Sequence, residues 1–372
     1  MGPDPVRVLS LTLRDFRSYH DAEASLGPGL TVVAGPNGAG KTNLLEAIYF
    51  GCVGRSPRTA NEREVVRFGT KTTRVMVRCE GADGPHELAV GFEPGEAKRI
   101  RVDGANVERL IDAPERPLVS VFLPDRLDLV KGAPALRRAH VDQLVAALWP
   151  SRVGTRRSYL QTLAQRNALI GRIRSGTGSR ASLSSWDAQL AQHGIALMAD
   201  RAQAVRMISD RATRIGAELG LERELTIAYR PRSRAAGFDE LASELAERVE
   251  QDVSRGFTGH GPHRDELSMR LDARDLRAYG SQGQQRLGLL ALLLAEREAI
   301  GEQRSGPPLM LLDDVMSELD HVRRRALIEL LRGGGGQSVI TTTDLEHVPG
   351  ATGEGVARLS IAEGRVLEEV VV

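Results

Sequence analysis

The eight residues Gly35-Pro-Asn-Gly-Ala-Gly-Lys-Thr42 fit the pattern G-x-x-x-x-G-K-[ST], with the apolar run Leu30 to Ala34 before them and a helix opening at Gly40. Strand, glycine loop and helix in that order make a phosphate-binding P-loop. The glycines let the backbone wrap closely round phosphates with its N–H groups turned inward. Gly35, Pro36, Asn37, Gly38, Ala39 and Gly40 are therefore the expected cradle. Lys41 is expected to reach the β- and γ-phosphates and the Thr42 hydroxyl to ligate Mg2+, while the helix start adds favourable potential for an anion. Of the 50 cationic residues 46 are Arg and only 4 are Lys, and one of those four is Lys41.

A second strand completes the chemistry. Leu309-Met-Leu-Leu-Asp313-Asp314 is an apolar run ending in two acids, the pattern of a buried parallel strand that delivers carboxylates at its C-terminal end. Asp313 is the expected metal ligand, directly or through water. Asp314 is the expected general base or water-positioner for hydrolysis.

Composition excludes several classes. With 372 residues, 41% of them apolar and 27% charged, the chain reads as a soluble globular protein of two or three domains. Cys52 and Cys79 are too few for a disulfide framework or a four-cysteine zinc site. The longest apolar run, Leu287 to Ala295, falls well short of the ~20 residues that span a bilayer. The opening Met1-Gly-Pro-Asp-Pro has neither a basic nor an apolar leader region, so the expected location is cytoplasmic, without a membrane partner.

The pattern along the chain gives α/β texture at both ends and helix in the middle. Strands are expected at 6–13, 30–34, 73–79, 86–92, 99–103 and 118–123, the middle three as an antiparallel meander, and again at 267–271, 308–312, 338–343, 356–361 and 365–372. Between them, apolar stripes at helical spacing run through Leu160 to Ile173, through Trp186 to Leu219 after a Ser184-x-x-Asp187 cap, and through Leu241, Leu245, Val249 and Val253. The expected domains are 1–135, 136–255 and 256–372, the first and last forming one split α/β unit with a helical lobe inserted.

Three further motifs resemble those of ABC-type ATPases. Ser281-Gln-Gly-Gln-Gln-Arg286 is similar to their signature, Ser317-Glu-Leu-Asp320 to their D-loop, and Thr341-Thr-Thr-Asp344 ends the strand that carries their switch residue. The resemblance implies an ABC-type P-loop ATPase head that dimerises on ATP. The signature of one protomer, with Ser281, Gly283 and Gln284, would then cap the nucleotide held by the other. In related DNA-repair ATPases an early Arg approaches the nucleotide, which implies that role for Arg17.

Longer strings narrow the resemblance. Leu11-x-Leu-Arg-Asp-Phe-Arg-Ser-Tyr19, Gly54-Arg-Ser-Pro-Arg-Thr59, Leu129-Val-Lys-Gly-x-Pro-x-Leu-Arg-Arg138 and Gly261-Pro-His-Arg-Asp-Glu-Leu267 resemble the RecF family of bacterial DNA replication and repair proteins, with Asp15 standing where that family has Asn. Membership would imply an ATP-driven homodimer that clamps duplex or gapped DNA and loads recombinase with RecO- and RecR-type partners. It would also imply a part in the SOS damage response. Three departures from ABC-type ATPases at large, Asp314 in place of Glu, Thr in place of the switch His and no glutamine at a Q-loop near Pro124, imply slow hydrolysis. A transport ATPase is disfavoured by the long stretch between Thr42 and Ser281, and a non-hydrolysing nucleotide sensor stays open.

A net charge of +1 argues against a nucleic-acid partner only as an average. Residues 151–235 hold 15 Arg and 6 acids, and residues 152–180 hold 7 Arg and no acid. Arginine forks suit phosphates, so Arg152, Arg156, Arg157, Arg172 and Arg174 are the expected DNA contacts, sequence-tolerant and to the backbone. His260 and His263 lack a third ligand at metal-binding spacing and are expected to be a hydrogen-bonded structural pair or a contact near the nucleotide of the dimer.

Overall fold

The computed structural model describes residues 6–304 and 306–370. The chain forms two compact units: one takes the chain up to Arg126, Glu218–Gly220 and everything from Arg297; the other takes Leu127–Ala217 and Leu221–Glu296.

The first unit holds two six-stranded sheets. One runs in the order Arg365–Val370, Val356–Ala362, Leu30–Ala34, Ser338–Thr342, Leu309–Leu312 and Val119–Phe122, parallel throughout except for the terminal hairpin. Its central strands are buried on both faces, which is why they read as continuous apolar runs. The other sheet is antiparallel, in the order Tyr19–Ser25, Arg7–Phe16, Thr73–Gly81, Gly84–Phe92, Arg99–Val102 and Ala105–Val107. It contains the expected meander and adds a strand, Tyr19–Ser25, that the hydropathy pattern hides: of its seven residues only Tyr19 and Ala24 are buried.

The helix Lys41–Val53 lies in the core that both sheets share. Leu44, Leu45, Ala47, Ile48, Phe50 and Cys52 are fully buried beside Val33, Leu311 and Val339 of the parallel sheet and Val75, Val77 and Leu88 of the antiparallel one. A helix apolar on every face must be enclosed, and enclosure makes its N-terminus a rigid platform.

The second unit is built on the helices Pro134–Leu148, Val153–Arg174, Leu183–Glu218, Phe238–Glu247 and Val249–Arg255, with a three-stranded sheet ordered Arg274–Asp275, Glu266–Leu271, Leu225–Arg230. It divides from the first unit at places other than residues 135 and 255. Glu266–Leu271 pairs along its whole length with Leu225–Arg230, which ties 256–296 to the helices. Upstream, the Arg137 guanidinium donates to the carbonyls of Val130 (3.3 Å) and Gly132 (2.9 Å), drawing 127–135 into the same unit. The strand Leu225–Arg230 escapes sequence reading because it is a short alternation inside a long helical stretch. The Ser184 cap is also corrected. The helix begins at Leu183, Ser184 Oγ donates to the Ala181 carbonyl, and Asp187 is instead engaged by Arg166. The stripe 241–253 breaks at Arg248 into two helices, and Val371 and Val372 of the last expected strand lie outside the described residues.

Charge is buried here in paired networks, although Arg166 Nη2 has no hydrogen-bond partner among the described residues. Arg166, wholly inaccessible, donates to Asp187 (2.6 Å), Asp252 (2.7 Å) and Thr258 (2.7 Å). Arg201 holds Asp142 by two bonds (2.7 and 3.1 Å) and the Pro262 carbonyl at 2.7 Å. His260 pairs with Glu244 at 2.5 Å, whereas His263 accepts from Tyr159 Oη at Nδ1 (2.7 Å) and donates from Nε2 to the Thr258 carbonyl (2.9 Å). These contacts suit a neutral His263, and burial pushes its pKa down to about 4. The unfolded chain, with an ordinary imidazole near 6.5, binds a proton there that the folded chain refuses. His263 therefore contributes stability above pH 6.5 that is lost as pH falls toward 4. The denaturant midpoint is expected to drop across that window, and to drop less steeply in His263→Asn; parallel slopes for the two proteins would refute the assignment.

Candidate nucleotide-binding site

Three neighbouring parallel strands end at one point. Leu30–Ala34 runs into the glycine loop, Leu309–Leu312 into Asp313, and Ser338–Thr342 lies between them. Gly40 caps the helix Lys41–Val53 at φ +116°, a conformation that excludes a side chain, and a Cβ on Gly35 would stand 2.1 Å from the Ile361 carbonyl oxygen. Asn37, Gly38, Gly40, Lys41, Thr42, Asn43, Asp313 and Asp314 line a cavity of about 330 Å³.

Polar contacts fix its floor. Thr42 Oγ1 lies 2.8 and 3.0 Å from the two Asp313 oxygens. The fully buried Thr341 donates from Oγ1 to Asp313 Oδ1 (2.7 Å) and accepts the Asp314 N–H (2.9 Å), so one hydroxyl orients both acids. Burial raises the Asp313 pKa; hydrogen bonds from Thr341 and Thr42 oppose that, and the charge of Asp314 reinforces it. Asp314 sits at φ +45°, a left-handed conformation that a short acidic residue tolerates, and its carboxylate accepts from Ser317 Oγ at 3.1 Å. The Lys41 ammonium donates to the carbonyls of Gly35 (2.7 Å) and Pro36 (2.9 Å), folded over the loop it would serve. Burial lowers its pKa, and Asp314 and Asp313 work against that.

Hard oxygen donors in this arrangement suit Mg2+, which takes one or two carboxylates and keeps much of its water. The fit rests on Thr42 Oγ1 and Asp313 within 2.8 Å of each other at the cavity floor. Among the described residues no group of three or more His, Cys, Asp or Glu forms a separate metal site.

Arg17 is held against the P-loop helix. Its guanidinium is spent on Glu46, by bonds of 3.0 Å from Nε and 2.7 Å from Nη2, and it does not line the cavity. Glu46 is fully buried on the P-loop helix and also accepts from Arg58 (2.9 Å) and Ser56 (2.6 Å). Burial alone would raise its pKa, but the hydrogen bonds from Arg17 and Ser56 and the charges of Arg17 and Arg58 outweigh that and lower it. Arg58 reaches Asn43 Oδ1 of the cavity at 3.1 Å. Sequence reading assigned no role to Glu46, Arg58 or Thr341 as contacts, because each bond joins segments distant in sequence.

Ser281, Gly283 and Gln284 belong to the second unit and stand at the start of the helix Gln282–Gln303, whose residues up to Glu296 are in that unit. Ser281 Oγ accepts the Gln284 N–H (3.2 Å) while Gln284 Oε1 accepts the Ser281 N–H (2.9 Å), a capping box that leaves the Ser281 hydroxyl hydrogen to donate. Of the basic residues in that unit, Arg152 is held by Asp200 (3.0 Å) and Gln203 (2.7 Å), and Arg156 by Asp142 (2.8 Å). Arg157, Arg172 and Arg174 are exposed. Arg166 and Arg201 are buried in the networks above and cannot meet a phosphate.

A family model described as an AAA domain matches residues 10–111. The DNA replication and repair protein RecF of Anaeromyxobacter sp. (strain Fw109-5) is 39% identical over 371 residues, covering 97% of this chain and 99% of that protein. RecF of Heliobacterium modesticaldum is 36% identical over 348 residues, covering 91% and 93%. Among solved structures, the recombination mediator protein RecF–ATP of the RecFOR pathway superposes with a TM-score of 0.85 at 26% identity, covering 99% of each chain. The Smc head domain of Pyrococcus furiosus gives 0.59 at 16% identity over 98% of this chain and 96% of that one, a likeness of fold alone. The fold is that of a P-loop ATPase head, and identity above 30% across nearly the whole length with the curated relatives places this chain in the RecF family of DNA replication and repair proteins.

Proposed function

We propose that the protein is an ATP-dependent DNA-binding protein of recombinational repair and replication restart, acting in the cytoplasm. The observation that carries this reading is the meeting of Thr42, Asp313, Thr341 and Asp314 beneath the glycine loop. Loop N–H groups and Lys41 bind the phosphates, and Thr42 with Asp313 holds Mg2+, which supplies charge neutralisation there. Asp314 positions water. Its short side chain and the Thr at the switch position make hydrolysis slow, suited to releasing DNA rather than to driving a motor. Ser281, with Gly283 and Gln284, caps the nucleotide of a second copy, so ATP closes a homodimer on DNA. The exposed Arg157, Arg172 and Arg174 contact the backbone of duplex or gapped DNA, with Arg152 and Arg156 beside them. Proteins of the RecO and RecR type are the partners for recombinase loading.

One experiment tests these parts together: DNA binding with and without ATP, as salt is raised, for the natural chain and Ser281→Arg. The natural chain is expected to dimerise and to grip DNA more tightly with ATP, with a log–log salt slope of about −0.9 per phosphate contacted. Ser281→Arg is expected to bind ATP, stay monomeric and lose the ATP-dependent increment. A flat slope would refute the backbone grip, and a Ser281→Arg dimer would refute the nucleotide sandwich.

A further inference from the structure

From Val65 to Arg78 the chain holds Arg67, Lys71, Arg74 and Arg78 and no acid. Within it lies the turn Arg67-Phe68-Gly69-Thr70, closed on the Arg67 carbonyl by the Thr70 N–H (3.1 Å) and by Thr70 Oγ1 (2.9 Å). Gly69 has φ +85°, as the third residue of a type II turn requires, which sets Phe68 at the outer corner. The base of the turn is fixed. The Arg67 N–H donates to the Asp15 carbonyl at 2.9 Å, and Val66 bridges Phe16. Phe68 is thus held on an ordered turn with its ring entirely in solvent.

A lone exposed apolar residue is ordinary; its surroundings set this one apart. Arg74 stands directly opposite Arg14 on one neighbouring strand and opposite Gly91 on the other, and Gly91 stands opposite Arg99. Three arginines therefore lie in one row across the antiparallel sheet, with no side chain between the last two. Like charges directly opposed across strands are destabilising. Only Arg14 has a carboxylate near, Asp21 at 4.0 Å. The acids just upstream are already engaged, Glu62 with Lys98 and Glu64 with Arg17. Arg67, Lys71, Arg74 and Arg99 form no ion pair among the described residues. The fold tolerates a repulsive row that an external polyanion would relieve, beside an aromatic face that a base would cover.

We infer that this end of the antiparallel sheet is a contact for unpaired nucleic acid: a base stacks on Phe68 while Arg67, Lys71, Arg74 and Arg99 hold the flanking phosphates. Aromatic stacking beside a cationic track is how single strands are held without sequence preference. The contact goes beyond the backbone grip assigned to the exposed arginines of the helical unit.

The test uses the full chain with ATP and three probes: a single-stranded oligonucleotide, a gapped duplex with 2-aminopurine in the gap, and a fully paired blunt duplex. Phe68→Ala, at a fully exposed position, should fold as the natural chain does. It is expected to weaken binding to the single strand and the gap by about 5- to 100-fold and to abolish the change in 2-aminopurine fluorescence, with blunt-duplex binding unchanged. Phe68→Trp should retain all three. Arg74→Gln should lower the single-strand salt slope by about 0.7. Natural affinity and fluorescence change in Phe68→Ala would overturn the inference, and a role for Phe68 in meeting a protein would give that result. The backbone grip would then be judged separately, on the blunt duplex with Arg157, Arg172 and Arg174 replaced. Failure of the natural chain to bind any of the probes would overturn both.

Discussion

Lys41→Ala is expected to weaken ATP binding by about 10- to 150-fold, the loss of a charge-assisted contact worth about 1.5–3 kcal/mol. The ammonium is mostly buried and folded onto the Gly35 and Pro36 carbonyls, so among the described residues it stands at the loop without a carboxylate in ion-pair contact. An anion entering the loop therefore meets a cation that need not be pulled from a salt bridge. Alanine also leaves those two carbonyls without their donor, which loosens the loop as well as removing the charge. Calorimetric titration with ATP and Mg2+ measures the effect. Affinity within twofold of the natural chain would mean that the loop N–H groups alone carry the phosphates.

Arg166→Met is expected to destabilise the helical unit by about 3–5 kcal/mol, the cost of removing one partner from a buried ionic network. Arg166 is inaccessible, and its removal strands Asp187 and Asp252, which are themselves nearly inaccessible. Combining the change with Asp187→Leu and Asp252→Leu is expected to recover much of the stability, because well-packed apolar groups often replace buried ion networks without loss. Denaturant unfolding measures both. A loss below about 1 kcal/mol for the single variant would show that the acids find other partners.

The candidate nucleotide site was legible where the chemistry demands residue types in a local pattern. The glycines, Lys41 and Thr42 lie within eight consecutive residues, and Asp313 and Asp314 end an apolar strand. What closes that site was not legible. The Thr341 hydroxyl joins the two acids only because Ser338–Thr342 is the strand beside theirs. Glu46 gathers Arg17 and Arg58 across long loops, so the expected nucleotide role of Arg17 could be judged only once its partner was known. The domain limits were missed for the same reason, since a six-residue strand, Leu225–Arg230, decides where Glu266–Leu271 belongs. The Arg-rich count of the helical lobe likewise mixed arginines facing solvent with two that serve its interior.

The strand between the glycine loop and the acid-bearing strand acts as a ruler. Neighbouring strands lie about 4.8 Å apart, so the distance from Ala34 to Leu312 is set by two rows of backbone hydrogen bonds. Those rows do not depend on which apolar side chains fill the layers above and below. The width of the cavity floor is thereby insulated from drift in the core, and the spacing from Asp313 to the glycine loop can hold while the packing around it changes.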